Sequence, residues 1–177
     1  MDYKLTKNLI LTGMMGVGKS TIGKKLAEKL SFRFSDIDNI IEGIEKTTIR
    51  NLFNTKGEAY FRKLEVKISL QEINKKKAVI SLGGGAILSD MIRNSVKKQC
   101  TSFWLDTEIN ILNTRLKNSK NRPLLFGKNL KPALIKIYTQ RKKFYNKADF
   151  RVKCDLLKPD EIVDKIIKYY ESSRNKI

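Results

Sequence analysis

Histidine is absent from this 177-residue chain, and cysteine, proline and tryptophan are rare, at two, three and one residues. Because there is no histidine, any general base must be a carboxylate or a less common group. The two cysteines, Cys100 and Cys154, lack the spacing of metal ligands and lie at the ends of strand-like segments. We therefore expect them to be buried thiols in a reducing cytoplasm.

Long hydrophobic runs are also missing. Glycines break the apolar stretches at residues 8–17 and 78–88, so neither stretch is a candidate membrane span. Residues 1–7 lack the apolar centre of a signal peptide. The length and an ordinary hydrophobic content predict a single domain over residues 1–177 that is large enough to bury a core.

Acidic residues are scarce relative to basic ones, with 18 against 37, which gives a formal net charge of +19. Such a charge is typical of nucleic-acid-binding proteins. The basic residues are spread along the chain, however, and they form neither a basic tail nor a run interleaved with aromatic residues. We therefore favour a lysine-rich solvated surface that attracts small anions, and we expect no nucleic-acid or membrane partner.

Among the features that are present, a phosphate-binding loop stands out. Residues 13–20 fit the pattern G-x-x-x-x-G-K-[ST], with a strand-like run at 8–12 before them and helical apolar spacing at 21–30 after them. The glycines let several backbone N–H groups point at one anion, and the helix start adds its positive dipole end. Lys19 can reach the outer phosphates, and the Ser20 hydroxyl can hold Mg²⁺. The context favours nucleoside triphosphate binding over an incidental glycine-rich turn.

Strand-like and helix-like segments alternate along the whole chain, which predicts an α/β fold with a parallel sheet and helices on both faces. The predicted strands are residues 8–12, 32–36, 78–82, 101–105 and 150–154. The predicted helices are residues 21–30, 39–55, 58–73, a segment capped by Ser89 or Asp90, 107–117, 130–146 and 159–170. Ligands of such sheets bind beyond the carboxyl ends of the strands, where the candidate site residues also fall.

Two aspartates end the second predicted strand. Asp36 and Asp38 are spaced so that both side chains can leave the same side of an extended chain. Beside a triphosphate, one carboxylate can bind the magnesium shell while the other orients or deprotonates an attacking hydroxyl. The alternative is a pair of helix-capping aspartates, because a helix follows directly.

Three further features suit an anionic substrate. Arg62 and Glu65 lie on one face of a helix. They form either a weak surface ion pair, or a pair in which Glu65 orients Arg62 to bind a substrate carboxylate. Gly83–Gly85 follow a buried strand, which suggests backbone close to a ligand. Arg122 stands in the aperiodic stretch at 118–129, which is either a charged surface loop or a mobile lid that brings positive charge to the transferred group.

One motif is rejected. Residues 146–149 spell N-K-x-D, a guanine-reading signature. A guanine-binding motif should follow a strand, but this segment ends a predicted helix and precedes a predicted strand. In addition, no D-x-x-G occurs in the chain. We interpret the match as chance.

Taken together, these residues resemble the shikimate kinase family, from Gly13 to Pro159 and in the family's order. The resemblance rests on the phosphate loop, Asp36-x-Asp38, Gly57-Glu58 with Phe61-Arg62 and Glu65, residues 81–85, Arg122-Pro123-Leu124-Leu125, and Arg141 with Tyr145 and Ala148. It implies a fold of the P-loop nucleoside-monophosphate-kinase type, with a five-stranded parallel sheet in order 2-3-1-4-5, a substrate-binding segment at about 37–65 and a mobile lid at about 117–129. It also implies that the chain uses ATP and Mg²⁺ to phosphorylate the 3-hydroxyl of shikimate. Separately, we expect a cytoplasmic monomer.

The resemblance assigns roles by matching position. Asp38 would hold the accepting hydroxyl and act as base, with Ser20 and Asp36 serving Mg²⁺. The nucleotide would contact Gly16, Val17, Gly18, Lys19, Ser20, Thr21 and Arg122, with Arg115 and Pro159 on either side of adenine. The substrate carboxylate would be clamped by Arg62 and Arg141, with Gly84 close to the ring and an apolar wall formed by Phe53 and Phe61. Lys19 and Arg122 would stabilise charge on the γ-phosphate.

The sequence departs from the family pattern at two positions. Ile37 replaces a usual threonine, and Lys46 stands near a position where glycine commonly ends the first helix of the substrate segment. Two alternatives stay open at this point. One is another small-metabolite kinase of the same fold, such as a gluconate-type kinase, and the other is a nucleic-acid-binding module on a degraded kinase fold.

Overall fold

A five-stranded parallel sheet forms the centre of the molecule. The computed structural model describes residues 7–117 and 129–174. The strand order is β2-β3-β1-β4-β5, and every neighbouring pair is parallel, as the resemblance implied. The strands are β1 (Asn8–Thr12), β2 (Arg33–Asp36), β3 (Ala78–Ser81), β4 (Cys100–Asp106) and β5 (Phe150–Lys153).

Seven α-helices and one short 3₁₀ turn at Ala86–Leu88 are assigned in the described part of the chain. The helices are α1 (Lys19–Leu30), α2 (Ile37–Glu45), α3 (Ile49–Ile73), α4 (Asp90–Gln99), α5 (Ile109–Leu116), α6 (Leu130–Tyr145) and α7 (Pro159–Arg174). None of these helices is long and apolar enough to cross a membrane.

The alternation of side chains along β1 divides the core into two layers. Leu9 and Leu11 belong to one cluster, with buried side chains of α1, α5 and α7. Ile10 points the other way and belongs to a second cluster, with buried side chains of α2, α3 and α4. Because successive strand residues face opposite sides of a sheet, a fully apolar strand must be covered on both faces. The predicted two-sided packing is confirmed.

The segment between β2 and β3 differs from the sequence prediction. We expected one helix over 39–55 and another over 58–73, but α2 already begins at Ile37 and α3 begins at Ile49. Thr48 caps α3 by accepting a hydrogen bond from the backbone N–H of Asn51. Gly57 has non-helical φ 80° and ψ 166°, so α3 consists of two helical segments that meet at a kink, and this break confirms the predicted boundary between residues 55 and 58.

Lys46, at the position near which the family commonly has glycine, is the C-cap of α2. Lys46 takes the left-handed conformation (φ 50°, ψ 34°), in which glycine carries no steric penalty. Its backbone N–H donates to the carbonyl of Glu42, so the helix end is hydrogen-bonded despite the lysine. A lysine at this position therefore preserves the turn at an energetic cost.

Candidate active site

The phosphate loop joins β1 to α1 and keeps its donors open. Gly13, Gly16 and Gly18 all have positive φ, which lets the backbone curl around a single point. Gly18 is the N-cap of α1, and no side chain caps this helix end, so its first N–H groups remain available to an anion. The ammonium of Lys19 lies across the loop and donates to the carbonyls of Gly13 and Met14 at 3.0 and 3.1 Å.

Two hard oxygen ligands stand beside the loop. The Ser20 hydroxyl donates to Oδ2 of Asp36 at 2.5 Å, and Oδ1 of Asp36 accepts from the backbone N–H of Asn39 at 3.3 Å. A hydroxyl and a carboxylate next to a phosphate site suit Mg²⁺, which prefers oxygen ligands and keeps several waters. Residues 7–117 and 129–174 contain no cluster of three acidic, cysteine or histidine side chains, and a metal held largely by phosphates needs none.

The phosphate loop, both aspartates and the triglycine segment share one cleft of about 160 Å³. Its lining residues are Met15, Gly16, Gly18, Lys19, Ser20, Thr21, Asp36, Asp38, Ser81, Leu82 and Gly84. The carboxyl ends of β1, β2 and β3 therefore meet at one edge of the sheet, as parallel packing requires.

The two aspartates reach this cleft by a different route from the predicted one. We expected both on one extended chain, but only Asp36 ends the strand, and Asp38 lies in the first turn of α2. The proposed alternative, a capping role, is correct for Asp36, whose carboxylate caps α2. A single carboxylate thus caps the helix and binds Ser20, and the helix turn carries Asp38 into the same cleft.

Arg62 is held by carboxylates on both sides. Its Nη1 donates to Oε2 of Glu65 at 2.7 Å, and its Nε and Nη2 donate to Oε1 of Glu58 at 3.2 and 3.0 Å. The Glu65 side chain is only 2% exposed and that of Arg62 26%, so the ion pair is buried at its carboxylate and is not the fully exposed surface pair of the alternative interpretation. The guanidinium also lies 5.1 Å from the centre of the Phe61 ring.

The pKa of the Glu65 carboxyl is subject to opposing effects. Burial raises the pKa of its carboxyl, the neighbouring Arg62 opposes this rise, and the nearby charge of Asp38 adds to it. Its Oε1 atom is buried and has no hydrogen-bond partner within the described residues. A buried acceptor without a partner needs a donor from outside the chain, such as a bound molecule or an ordered water.

Charged side chains crowd the first and the last of the three glycines after β3. A Cβ atom on Gly83 would lie 2.4 Å from Oε1 of Glu65 and 2.8 Å from Oδ1 of Asp38. A Cβ atom on Gly85 would lie 2.6 Å from Nη1 of Arg62. The segment therefore lets the backbone pass between the carboxylates and the guanidinium, while the expected close approach to a ligand stays a prediction.

Arg141 enters the site from α6. Its residue exposure is 5%, and its Nη1 would lie 3.3 Å from a Cβ atom on Gly84. One turn later, the hydroxyl of Tyr145 donates to the carbonyl of Gly84 at 2.6 Å. The structure therefore brings Asp38, Arg62, Gly84 and Arg141 to one place, although they come from four separate segments.

The remaining candidates divide into three groups. Arg115 lies over the phosphate loop, with Nη1 at 3.5 Å from the carbonyls of Gly16 and Val17, and Pro159 begins α7. The rings of Phe53 and Phe61 are in contact at 4.9 Å between centroids, as an apolar wall requires. Arg122 and most of the expected lid lie outside the described residues, so their roles stay predictions.

The rejected N-K-x-D motif has a structural use. Oδ2 of Asp149 accepts hydrogen bonds from the backbone N–H and the hydroxyl of Ser102 at 2.8 and 2.7 Å. This contact links the start of β5 to β4 before the carboxyl ends of the strands, away from the phosphate loop. The side chain is therefore occupied in tying two strands together.

A family model for shikimate kinase matches residues 15–171. The chain belongs to the shikimate kinase family. A shikimate kinase from Sulfurihydrogenibium sp. (strain YO3AOP1) is 43% identical over 91% of this chain and 96% of its own length. That of Thermodesulfovibrio yellowstonii is 38% identical over 96% of this chain and 98% of its own length.

Solved structures agree with this assignment. The shikimate kinase from Acinetobacter baumannii, in complex with shikimate, has a TM-score of 0.93 at 30% identity and covers 97% of this chain and 96% of its own. A gluconokinase from Sinorhizobium meliloti 1021 is only 16% identical with a TM-score of 0.58, so that likeness shows the fold alone. Membership of the shikimate kinase family confirms the predicted class, a small-molecule kinase with ATP as co-substrate.

Two features of the site were not predicted from the sequence. One is the depth of Glu65, since i, i+3 spacing places it beside Arg62 but says nothing about burial. The other is the contact between Tyr145 and Gly84, which are 61 residues apart. The only available signal for the second was the spacing of four residues between Arg141 and Tyr145, which puts them on one face of a helix.

Proposed function

We propose that the chain transfers the γ-phosphoryl group of ATP to the 3-hydroxyl of shikimate, acting as a monomer in the cytoplasm. The observation that carries this proposal is the convergence of Asp38, Arg62 and Arg141 around the triglycine segment, beside the phosphate loop. A substrate with one carboxylate and several hydroxyls matches two guanidinium groups at one end and carboxylates at the other.

The phosphate loop provides the nucleotide end. Backbone N–H groups at the start of α1 and the ammonium of Lys19 bind the β- and γ-phosphates, for which Lys19 exchanges its present contacts with Gly13 and Met14. Ser20 and Asp36 would hold Mg²⁺, which neutralises charge on these phosphates when bound. Arg115 and Pro159 flank the adenine, and Arg122 adds positive charge at the γ-phosphate when the lid closes.

At the acceptor end, Asp38 orients the 3-hydroxyl and accepts its proton as the new P–O bond forms and the bond to ADP breaks. Arg62 and Arg141 bind the carboxylate at the far end of the ring, where contacts are the same before and during transfer. They therefore fix the substrate's position, while Asp38 and Lys19 act on the reacting atoms.

The test is a coupled assay for ADP release by the purified protein, with shikimate, gluconate and nucleoside monophosphates as separate acceptors. We expect turnover that depends on shikimate and on Mg²⁺ and stops when the metal is chelated. Equal or better turnover with gluconate or a nucleoside monophosphate would contradict the proposal. Salt-sensitive binding to DNA or RNA without any such turnover would favour the nucleic-acid alternative instead.

A further inference from the structure

Tyr145 is a buried polar residue beside the acceptor site that has no role in the proposed mechanism. The residue is fully buried, and its ring stacks on Trp104 of β4 with centroids 5.9 Å apart. Its hydroxyl leaves this packing and donates to the carbonyl of Gly84 at 2.6 Å, with Sδ of Met14 at 3.9 Å. The ring is therefore fixed by the sheet, and the hydroxyl reaches both the triglycine segment and the phosphate loop.

Gly84 lies where the two ends of the cleft meet. A Cβ atom at this position would be 3.3 Å from Nη1 of Arg141, 3.6 Å from the backbone N of Met15 and 3.7 Å from the carbonyl O of Gly13. A shift of the Gly84 peptide therefore changes the space available to the Arg141 guanidinium. The hydrogen bond from Tyr145 holds this peptide in place.

The hydroxyl is a permanent donor. Burial raises the pKa of Tyr145, and the charge of Arg141 together with a hydrogen bond from its side chain opposes this rise without cancelling it. A raised pKa keeps the hydroxyl in its protonated form, which is the form that donates to the carbonyl of Gly84. Since Arg141 lies one helical turn earlier on the same face, a single rigid helix end carries both the clamp and its support.

We propose that Tyr145 is a positioning residue for acceptor binding, which acts by fixing both the Gly84 peptide and the Arg141 guanidinium. The inference rests on the proposed function, because it assigns Arg141 to the shikimate carboxylate. Tyr145 does not contact the reacting atoms. Its loss should therefore weaken ground-state and transition-state binding equally, which raises KM and leaves kcat unchanged.

The chain offers a matched control in Tyr170. This residue is also a buried tyrosine, 3% exposed, and its hydroxyl donates to a backbone carbonyl, that of Lys7, at 2.7 Å. Tyr145→Phe and Tyr170→Phe each remove one buried hydroxyl from a backbone acceptor, so their general structural costs are comparable. Only the first of the two carbonyls belongs to the active site.

The experiment compares KM for shikimate, KM for ATP, kcat and Tm for the wild type and both variants, with the Kd of shikimate from calorimetry. For Tyr145→Phe we expect the KM and Kd of shikimate to rise about tenfold, as for the loss of one buried hydrogen bond. The KM for ATP and kcat should stay within about twofold of the wild type. For Tyr170→Phe we expect all kinetic constants to be unchanged, although Tm falls.

Unchanged shikimate binding in Tyr145→Phe, or the same rise in Tyr170→Phe, would overturn the inference. If Tyr145→Phe does not fold, Gly84→Ala perturbs the same junction from the other side, because its Cβ would lie 3.3 Å from Nη1 of Arg141. An unaltered shikimate KM in that variant would equally overturn it. A wild-type protein without shikimate turnover would instead contradict the proposed function, whatever the variants do.

Discussion

At the nucleotide end of the cleft the phosphate loop is shaped by its own backbone, whereas at the acceptor end side chains from four distant segments hold one another. In the loop, Lys19 is bound by the carbonyls of Gly13 and Met14, which are its neighbours in sequence. At the other end, Glu65 contacts Arg62 and crowds Gly83, which comes from another part of the fold. The first site is local, and the second exists only when the domain is folded.

This difference predicts different responses to substitution. A local site depends on backbone conformation and tolerates changes elsewhere in the protein. An assembled site depends on the mutual balance of buried charges, since removing one partner leaves the other uncompensated. Substitutions at the acceptor end should therefore change acceptor use and pH response while ATP binding persists.

The largest effect is expected for Asp38→Asn. The amide keeps the size of the side chain but cannot accept the proton of the attacking hydroxyl, and general-base catalysis typically contributes about 10²–10⁴-fold to the rate. We expect kcat to fall by about this factor, with an ATP Kd close to that of the wild type in calorimetry. The exposed Asp90→Asn serves as control and should be fully active. Near-normal kcat in Asp38→Asn would remove the base assignment.

The next largest effect is expected for Gly83→Ala. The added Cβ would lie 2.4 Å from Oε1 of Glu65 and 2.8 Å from Oδ1 of Asp38, so both carboxylates must shift. Because a displacement of about 1 Å can cost about 10²-fold, we expect a loss of this order in kcat/KM for shikimate, with unchanged ATP binding.

Gly43→Ala is the matched control for this substitution, since a Cβ atom there meets nothing within 4 Å. The control should keep its kcat/KM. A loss of ATP affinity in Gly83→Ala that equals its loss of shikimate affinity would break the proposed division between the two ends.

A smaller effect concerns the pH dependence of stability. The pKa of Glu65 is raised on folding by burial, so the folded state binds its proton more tightly than the unfolded state. Protonated Glu65 therefore stabilises the folded state at a pH below the pKa that it has in the unfolded chain. This contribution to the free energy of unfolding decreases as the pH rises through the higher pKa of the folded state, and it is lost completely above that pKa. Glu65→Gln should remove this contribution.

Urea unfolding of the wild type and of Glu65→Gln at a series of pH values measures the difference. We expect the stability of the variant relative to the wild type to increase with pH across that window. Glu58→Gln removes a half-exposed carboxylate from the other side of the same guanidinium, so it separates lost charge beside Arg62 from relieved burial. A relative stability of Glu65→Gln that falls with increasing pH would contradict the raised pKa.

The same division explains what could be predicted from the sequence. Residues 13–20 contain every group of the phosphate loop in one contiguous motif, so the site could be derived from local pattern and flanking periodicity. The strand order came from the family resemblance, because alternation of strands and helices does not fix it. The prediction that Asp38 lies on an extended chain was wrong, because α2 already begins at Ile37. That start depends on the hydrogen bond from the backbone N–H of Asn39 to the Asp36 carboxylate, which the sequence pattern alone does not establish.

The smallest expected effect is at Lys46, at the end of α2. It tests whether the backbone conformation at this helix end affects the acceptor end of the cleft. Lysine pays a steric cost in the left-handed conformation (φ 50°, ψ 34°), whereas glycine does not. We expect Lys46→Gly to stabilise the protein by about 0.5–1 kcal/mol in urea unfolding, without a change in either KM. Lys24→Gly, in the interior of α1, should destabilise it by about 1 kcal/mol. A raised shikimate KM in Lys46→Gly would mean that this turn also positions the acceptor. The end of α2 would then be one more of the segments that together form the acceptor end of the cleft.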